Sequence, residues 1–122
     1  MFVAELDEPR RLLKITATDQ VGPEDVQACL ETLPLHLTAM EPGFRLLTDL
    51  SQLRSMSTSC APDVGKIMEL CTEKGLELVI RVLPPEARND IGFAILSGFH
   101  YGSEVRIAVC TNLEEAASHL AG

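Results

Sequence analysis

The hydrophobic pattern of this chain switches repeatedly between a helical spacing and an alternating spacing. Apolar residues recur at positions i, i+3, i+4 and i+7 in three segments, which predicts three helices with one apolar stripe each. The stripes are Val26, Cys29, Leu30 and Leu33, then Val64, Ile67, Met68 and Cys71, and finally Leu113, Ala116, Ala117 and Leu120. Gly75 predicts the end of the second helix. A capping box at Thr111-Asn112-Leu113-Glu114 predicts the start of the third.

Segments of alternating hydrophobicity lie between these stripes and predict β-strands. They cover residues 12–17, 44–49, 76–82 and 105–110. The segments 2–6 and 10–18 look like the two arms of an antiparallel hairpin. One face of each later strand is apolar, whereas the other carries polar side chains such as Lys14, Arg45 and Glu77. Because strands covered on both faces are apolar throughout, this alternation predicts helices on one face of the sheet only.

The order of these elements predicts an α/β fold in which helices alternate with parallel strands. We expect a two-layer βα superhelix with a mostly parallel sheet of about five strands, led by the hairpin, and about four helices on one face. The 122 residues are enough for one domain spanning residues 1–122.

The fourth predicted helix, at 90–99, is apolar around almost its whole circumference. Such a helix is either deeply buried or in contact with a partner or ligand. Burial in the core is the favoured interpretation, and a dimer surface or the wall of an apolar pocket is the alternative. The residues of that interface or pocket would be Phe93, Leu96, Phe99, His100 and Tyr101. Since a parallel sheet rarely leaves a face open to water, we also predict a homodimer.

Composition excludes several classes of partner. The net charge of −8 repels nucleic acid and anionic membranes, and the single tyrosine without any tryptophan disfavours base stacking. No apolar run approaches the roughly 18 residues of a membrane span, and no basic leader precedes one. These features predict a cytoplasmic protein.

The cysteines and histidines predict neither a metal site nor a cofactor. Cys29, Cys60, Cys71 and Cys110 lack C-x-x-C spacing, and no histidine lies three or four residues from a cysteine. The cysteines are therefore predicted to be free, reduced thiols.

The clearest candidate for a functional site is the hydroxyl-rich segment Ser55-Met56-Ser57-Thr58-Ser59, between a predicted strand and the second helix. A helix N-terminus offers unpaired N–H groups and a positive dipole end, so hydroxyls there cap the helix, bind an anion or accept a phosphoryl group. Capping is the commonest role and the favoured one. Cys60 could be an activated nucleophile, but no histidine is placed to serve as its base, so an inert thiol is favoured. No catalytic residue is predicted.

With this element order, the chain resembles the STAS domain of anti-sigma-factor antagonists and of sulphate-transporter tails, and in particular the SpoIIAA-like single-domain proteins of bacteria. The local match covers residues 47–60. In antagonists this segment ends in Asp-Ser-Ser-Gly, and a partner kinase phosphorylates the first serine. The resemblance places Thr58 at that serine, whereas Ser57 replaces the acidic residue and Cys60 replaces the glycine.

The resemblance implies a non-enzymatic regulatory module that binds a protein partner. Ser57, Thr58, Ser59 and Cys60 would then form a recognition turn or carry a phosphoacceptor. A second hypothesis, suggested by the Sec14-like names of some relatives, is a binder of a small apolar or amphipathic ligand in a pocket near residues 90–99.

Overall fold

The computed structural model describes residues 1–84, 100–102 and 104–121. These residues form five strands and three α-helices: β1 (Phe2–Asp7), β2 (Leu12–Val21), α1 (Pro23–Thr38), β3 (Arg45–Met56), α2 (Ala61–Lys74), β4 (Leu78–Val82), β5 (Arg106–Cys110) and α3 (Leu113–Ala121). A turn of 3₁₀-helix, Thr58–Cys60, joins β3 to α2. The predicted helix at 90–99 lies outside the described residues.

The strands form one sheet in the order β1-β2-β3-β4-β5. β1 is antiparallel to β2, and every other neighbouring pair is parallel. The predicted α/β fold, with its leading hairpin and its parallel strands, is therefore confirmed.

Local signals set the helix boundaries. Pro23 occupies the first position of α1, and the Asp25 carboxylate accepts a hydrogen bond from the Gly22 N–H at 2.9 Å. Gly75 ends α2 with a φ of 101°, a left-handed conformation that glycine adopts without steric cost. The cap of α3 is one residue later than predicted: Asn112 Oδ1 accepts from the Glu115 N–H at 2.9 Å.

Alternate residues of β3 and β4 face two separate hydrophobic cores. Leu46 and Val79 pack in the core that contains the buried residues of α1 and α2. Leu47 and Ile80 pack in a second core that includes Ala116 of α3. The two cores lie on opposite sides of the sheet because successive side chains of a strand point to opposite faces.

The prediction that all helices lie on one face is therefore wrong. α1 and α2 cover one face, and α3 packs against the other, over β4 and β5. Two of the charged side chains that suggested an open face lie at the amino edge of the sheet: Arg45 begins β3, and Glu77 directly precedes β4. Arg45, at the first position of β3, donates from Nη1 to the Leu120 carbonyl at 2.8 Å and so contacts the end of α3. Polar alternation at a strand end does not show that the strand centre is exposed.

β3, with 12 residues, is the longest of the described strands and positions the candidate site. It pairs with β4 only from Arg45 to Asp49. Its remaining residues pair with β2 alone, through two register shifts, as far as the pair Val21 and Met56. The segment that follows β3 therefore lies well beyond the carboxyl end of β4.

Among the described residues, every helix is too short or too polar to span a bilayer.

Candidate functional site

The hydroxyl turn, defined as Ser57, Thr58 and Ser59, connects β3 to α2 and is exposed. The Ser57 hydroxyl caps the 3₁₀-helix by accepting from the Ser59 N–H at 3.3 Å, and the two serine Oγ atoms lie 2.7 Å apart. The Cys60 N–H donates to the Ser57 carbonyl at 3.0 Å. The cap thus belongs to Ser57, and the Thr58 hydroxyl takes no part in it.

The end of β2 holds this turn in place. The Ser57 N–H donates to the Val21 carbonyl at 3.1 Å. The Cys60 sulfur lies 3.8 Å from the same oxygen. The backbone before Thr58 is therefore bonded to β2, and the side chain of Cys60 contacts the same carbonyl after it.

Cys60 lies beneath the turn and is fully buried. Burial raises the pKa of the Cys60 thiol, the nearby carboxylates of Asp25 and Asp63 raise it further, and a hydrogen bond from Ser57 opposes them. A raised pKa leaves the thiol protonated at neutral pH, whereas the nucleophile is the thiolate. These are the properties of the inert thiol rather than of the nucleophile.

The charges around the turn also weigh against anion binding there. Asp25 and Asp63 act electrostatically on Cys60, and Glu24 adds a smaller effect of the same sign. These carboxylates repel a free anion and counteract the positive dipole end of α2. Of the three roles for the hydroxyls, the surroundings favour capping for Ser57 over the binding of a free anion.

His100 and Tyr101 lie against α2 on the core side of the sheet. His100 Nδ1 pairs with the Glu69 carboxylate, and the Gly102 N–H donates to Thr72 Oγ1 at 3.4 Å. Tyr101 points inward and contacts the core formed with α1 and α2. Burial raises the pKa of Tyr101.

Tyr101 lines a cavity of about 20 Å³ between α2 and the sheet, together with Ile15, Met68 and Arg81. That volume admits a single water molecule. The cavity is therefore too small for an organic ligand. Phe93, Leu96 and Phe99, the other predicted pocket residues, lie outside the described part of the chain.

A second feature was not predicted from the sequence. Four arginines, Arg10, Arg11, Arg45 and Arg106, line a cleft of about 560 Å³ at the amino ends of the strands. Arg10 and Arg11 are neighbours, but Arg45 and Arg106 lie far from them in the sequence, so no single motif joins the four. Their common signal is position, because each one lies in the first two residues of a predicted strand segment and parallel strands begin at the same edge of a sheet. Separately, the described residues contain no group of three or more metal-ligating side chains.

This arrangement, a hairpin followed by parallel strands with an exposed turn before the second helix, is a SpoIIAA-like fold. It is similar to an uncharacterized protein of the DUF3478 family with a SpoIIAA-like fold from Shewanella loihica PV-4, with a TM-score of 0.68 and 15% identity over 98% of this chain and 92% of that one.

Two structures of SpoIIAA show the same likeness. The anti-sigma factor antagonist SpoIIAA in its unphosphorylated form matches with a TM-score of 0.64 and 16% identity, over 100% of this chain and 99% of that one. The Bacillus cell fate determinant SpoIIAA in the phosphorylated form matches with a TM-score of 0.60 and 17% identity, over 98% and 99% of the two chains. No family profile and no curated protein matches the sequence. At this level of identity the likeness establishes the fold.

Proposed function

We propose that this chain is a non-enzymatic regulatory module that presents the hydroxyl turn to a protein partner. The observation that carries the proposal is the contrast within the turn. Its three hydroxyl side chains are exposed on a backbone fixed by Val21, whereas the one thiol is buried and protonated. An exposed, rigid and chemically unreactive surface suits recognition better than catalysis.

The fold gives this proposal its second support. SpoIIAA, which shares the fold, is described as an anti-sigma factor antagonist and has been solved in unphosphorylated and phosphorylated forms. Thr58 takes the place of the phosphorylated serine in the antagonist pattern, and its side chain is exposed. Its hydroxyl donates to no described residue, so a partner or a kinase can reach it. We infer that phosphorylation of Thr58 is the candidate regulation of the turn.

We also infer that the protein acts in the cytoplasm as a homodimer. All four cysteines are free and buried, as is usual where thiols are kept reduced. The expected open sheet face no longer supports a dimer, because α3 covers part of it. The support comes instead from β5, an edge strand of the described sheet, where Ile107 and Val109 are 42% and 49% exposed.

The proposal is tested by affinity purification from the native host with matched charge variants. Thr58→Glu adds one negative charge at the N-terminus of α2, where the dipole favours it and the carboxylates of Asp25 and Asp63 oppose it, so the two effects on stability offset each other. Asn112→Asp adds the same charge at the N-terminus of α3 and keeps the cap, so it is the control. We expect Thr58→Glu to lose a specific partner that the natural protein and Asn112→Asp both retain, with unchanged thermal melting.

Equal recovery of partners by all three proteins would contradict the recognition role of the turn. Intact-mass measurement of protein from its own host adds a direct readout. A phosphoryl group that is absent from Thr58→Ala would identify the modified hydroxyl. A retained apolar ligand would instead favour the ligand-binding hypothesis, and hydrolysis of an activated ester that is lost in Cys60→Ser would show an enzyme.

A further inference from the structure

We propose that the arginine cleft, defined by Arg10, Arg11, Arg45 and Arg106, binds a small organic phosphate. The cleft has a volume of about 560 Å³ and lies between the β1–β2 hairpin, the amino ends of β3, β4 and β5, and the end of α3. That volume is within the range of roughly 300 to 1,000 Å³ that is usual for small-molecule sites.

Positive charge is concentrated here against the charge of the whole protein. The chain has 10 lysines and arginines against 18 aspartates and glutamates, yet four of those ten cations line this one cleft. Glu77 is the one carboxylate among its described lining residues. Since the net charge of −8 repels anions elsewhere, a cluster of four guanidinium groups creates a local region of positive potential that attracts them.

Two of these arginines are held in place by backbone carbonyls. Arg45 donates from Nη1 to the Leu120 carbonyl and from Nη2 to the Arg10 carbonyl, both at 2.8 Å. Arg11 donates to the Pro42 carbonyl, and its backbone has a φ of 52°. A guanidinium has five N–H donors, so these bonds fix the side chains and leave donors for a ligand. The two groups are therefore preorganised, which lowers the entropic cost of binding.

The other two arginines are available for ligand contacts. Arg10 and Arg106 are exposed, and Arg106 makes a loose ion pair with Glu77 at 3.9 Å. An exposed pair of this kind contributes little stability, so a stronger anion can displace it.

The choice of arginine identifies the class of ligand. No lysine lines the cleft, and the planar fork of arginine matches the oxygens of a phosphate group with two parallel hydrogen bonds. The forks of Arg10 and Arg106, together with the remaining donors of Arg11 and Arg45, surround a concave space and suit a compact anion that carries several oxygens, rather than an extended acidic segment. The lining contains few apolar side chains, chiefly Leu78 and Leu120, so the rest of the ligand is polar.

This inference is independent of the proposed function. The cleft lies at the amino end of β3, and the hydroxyl turn follows the carboxyl end of the same strand. Failure of one proposal leaves the other intact.

The test is isothermal titration calorimetry of the full chain with inorganic tripolyphosphate at low ionic strength. The cleft variant combines Arg10→Gln with Arg106→Gln, because Arg45 also supports the fold. The control is Arg54→Gln, which removes an exposed arginine near the opposite end of β3. We expect saturable binding by the natural protein, a loss of at least about tenfold in affinity for the cleft variant, and less than about twofold for the control.

Three results would overturn the proposal. The first is the absence of saturable binding, and the second is an equal loss of affinity in the Arg54→Gln control. The third is binding of a poly-glutamate peptide, with the same dependence on Arg10 and Arg106, by a protein that does not bind tripolyphosphate. That result would assign the cleft to an acidic protein segment.

Discussion

The imidazole of His100 lies directly over Gly65 of α2. A Cβ atom at position 65 would stand 2.6 Å from His100 Nε2, and the other ring nitrogen pairs with Glu69 one helical turn further along. Glycine inside a helix costs about 1 kcal/mol relative to alanine, so its presence here needs a reason. The close approach of the ring provides it.

Gly65→Ala is therefore expected to destabilise the protein although alanine is the better helix former. The added methyl group forces the ring away and separates His100 from Glu69. We expect the free energy of unfolding to fall by about 1 to 2 kcal/mol, measured by chemical denaturation. In a His100→Ala background the same change should stabilise the protein by up to about 1 kcal/mol, because only the helix propensity remains. A stabilising Gly65→Ala in the natural protein would contradict the contact.

Ser57→Ala removes the cap of the 3₁₀-helix that leads into α2. Because the Ser57 hydroxyl accepts from the Ser59 N–H at the long distance of 3.3 Å, we expect a loss near the lower end of the capping range, about 0.5 to 1 kcal/mol. Thr58→Ala, which removes a hydroxyl outside the cap, should change stability by less than about 0.5 kcal/mol. Thermal melting of the two variants side by side measures the difference, and the reverse order would assign the cap to Thr58.

The buried thiols make stability fall at alkaline pH. Burial raises the pKa of Cys29 from 9.0 to about 11 and that of Cys71 from 9.0 to about 12. Above pH 9 the unfolded chain releases these protons while the folded chain keeps them, so the unfolded state binds fewer protons and stability decreases as pH rises. This contribution is fully present below pH 9, and each thiol accounts for up to about 1.4 kcal/mol per pH unit between pH 9 and its folded pKa.

Urea denaturation across this pH window checks that expectation. The double variant Cys29→Ala, Cys71→Ala is less stable at neutral pH because it creates cavities, but its stability should decline less steeply above pH 9. A decline as steep as that of the natural protein would show that other groups cause it.

Arg45→Met should loosen the end of α3. The change removes two hydrogen bonds from a charged donor, to the carbonyls of Leu120 and Arg10, and keeps much of the apolar stem. We expect a loss of about 2 to 3 kcal/mol and faster amide exchange in α3. Arg106→Met, whose side chain is 69% exposed, should change stability by less than about 0.5 kcal/mol. Equal effects of the two variants would contradict the anchoring role of Arg45.

The edge strand β5 provides a test of self-association. Ile107→Lys places a charge on the exposed apolar surface that would be covered in a dimer, and we expect it to give a monomer in light scattering. Leu35→Lys is the matched control, because Leu35 is a 75% exposed residue of α1 and should leave the mass unchanged. If the natural protein remains monomeric at high concentration, the inferred homodimer is wrong.

The elements of the fold could be predicted because their signals are local. The stripes that include Val26, Ile67 and Ala116 correspond to three observed helices, and the alternating segments correspond to the observed strands. The face on which α3 packs could not be predicted in this way. Arg45 and Glu77, which suggested an open face, lie at the amino edge of the sheet, whereas Leu47 and Ile80, further along β3 and β4, contact the second core.

One part of the candidate site, the hydroxyl turn, could be predicted because its signals are also local. The hydroxyl turn is continuous in the sequence, and its position before α2 follows from the periodicity of the helix alone. The arginine cleft joins Arg10 and Arg11 with Arg45 and Arg106, and the contact between His100 and Gly65 joins two distant parts of the chain. Such groups meet only through the three-dimensional arrangement of the sheet, which the sequence pattern does not fix in detail.

The length of β3 has a consequence for how this protein could be controlled. A strand of 12 residues separates its two ends by roughly 30 to 40 Å, more than the span of a small metabolite. A molecule held beside Arg45 would therefore leave the region around Thr58 open, and a ternary complex of protein, metabolite and partner is sterically allowed. Any competition between the two ligands would have to be transmitted through the sheet, and it would appear as a reciprocal change in both affinities rather than as mutual exclusion.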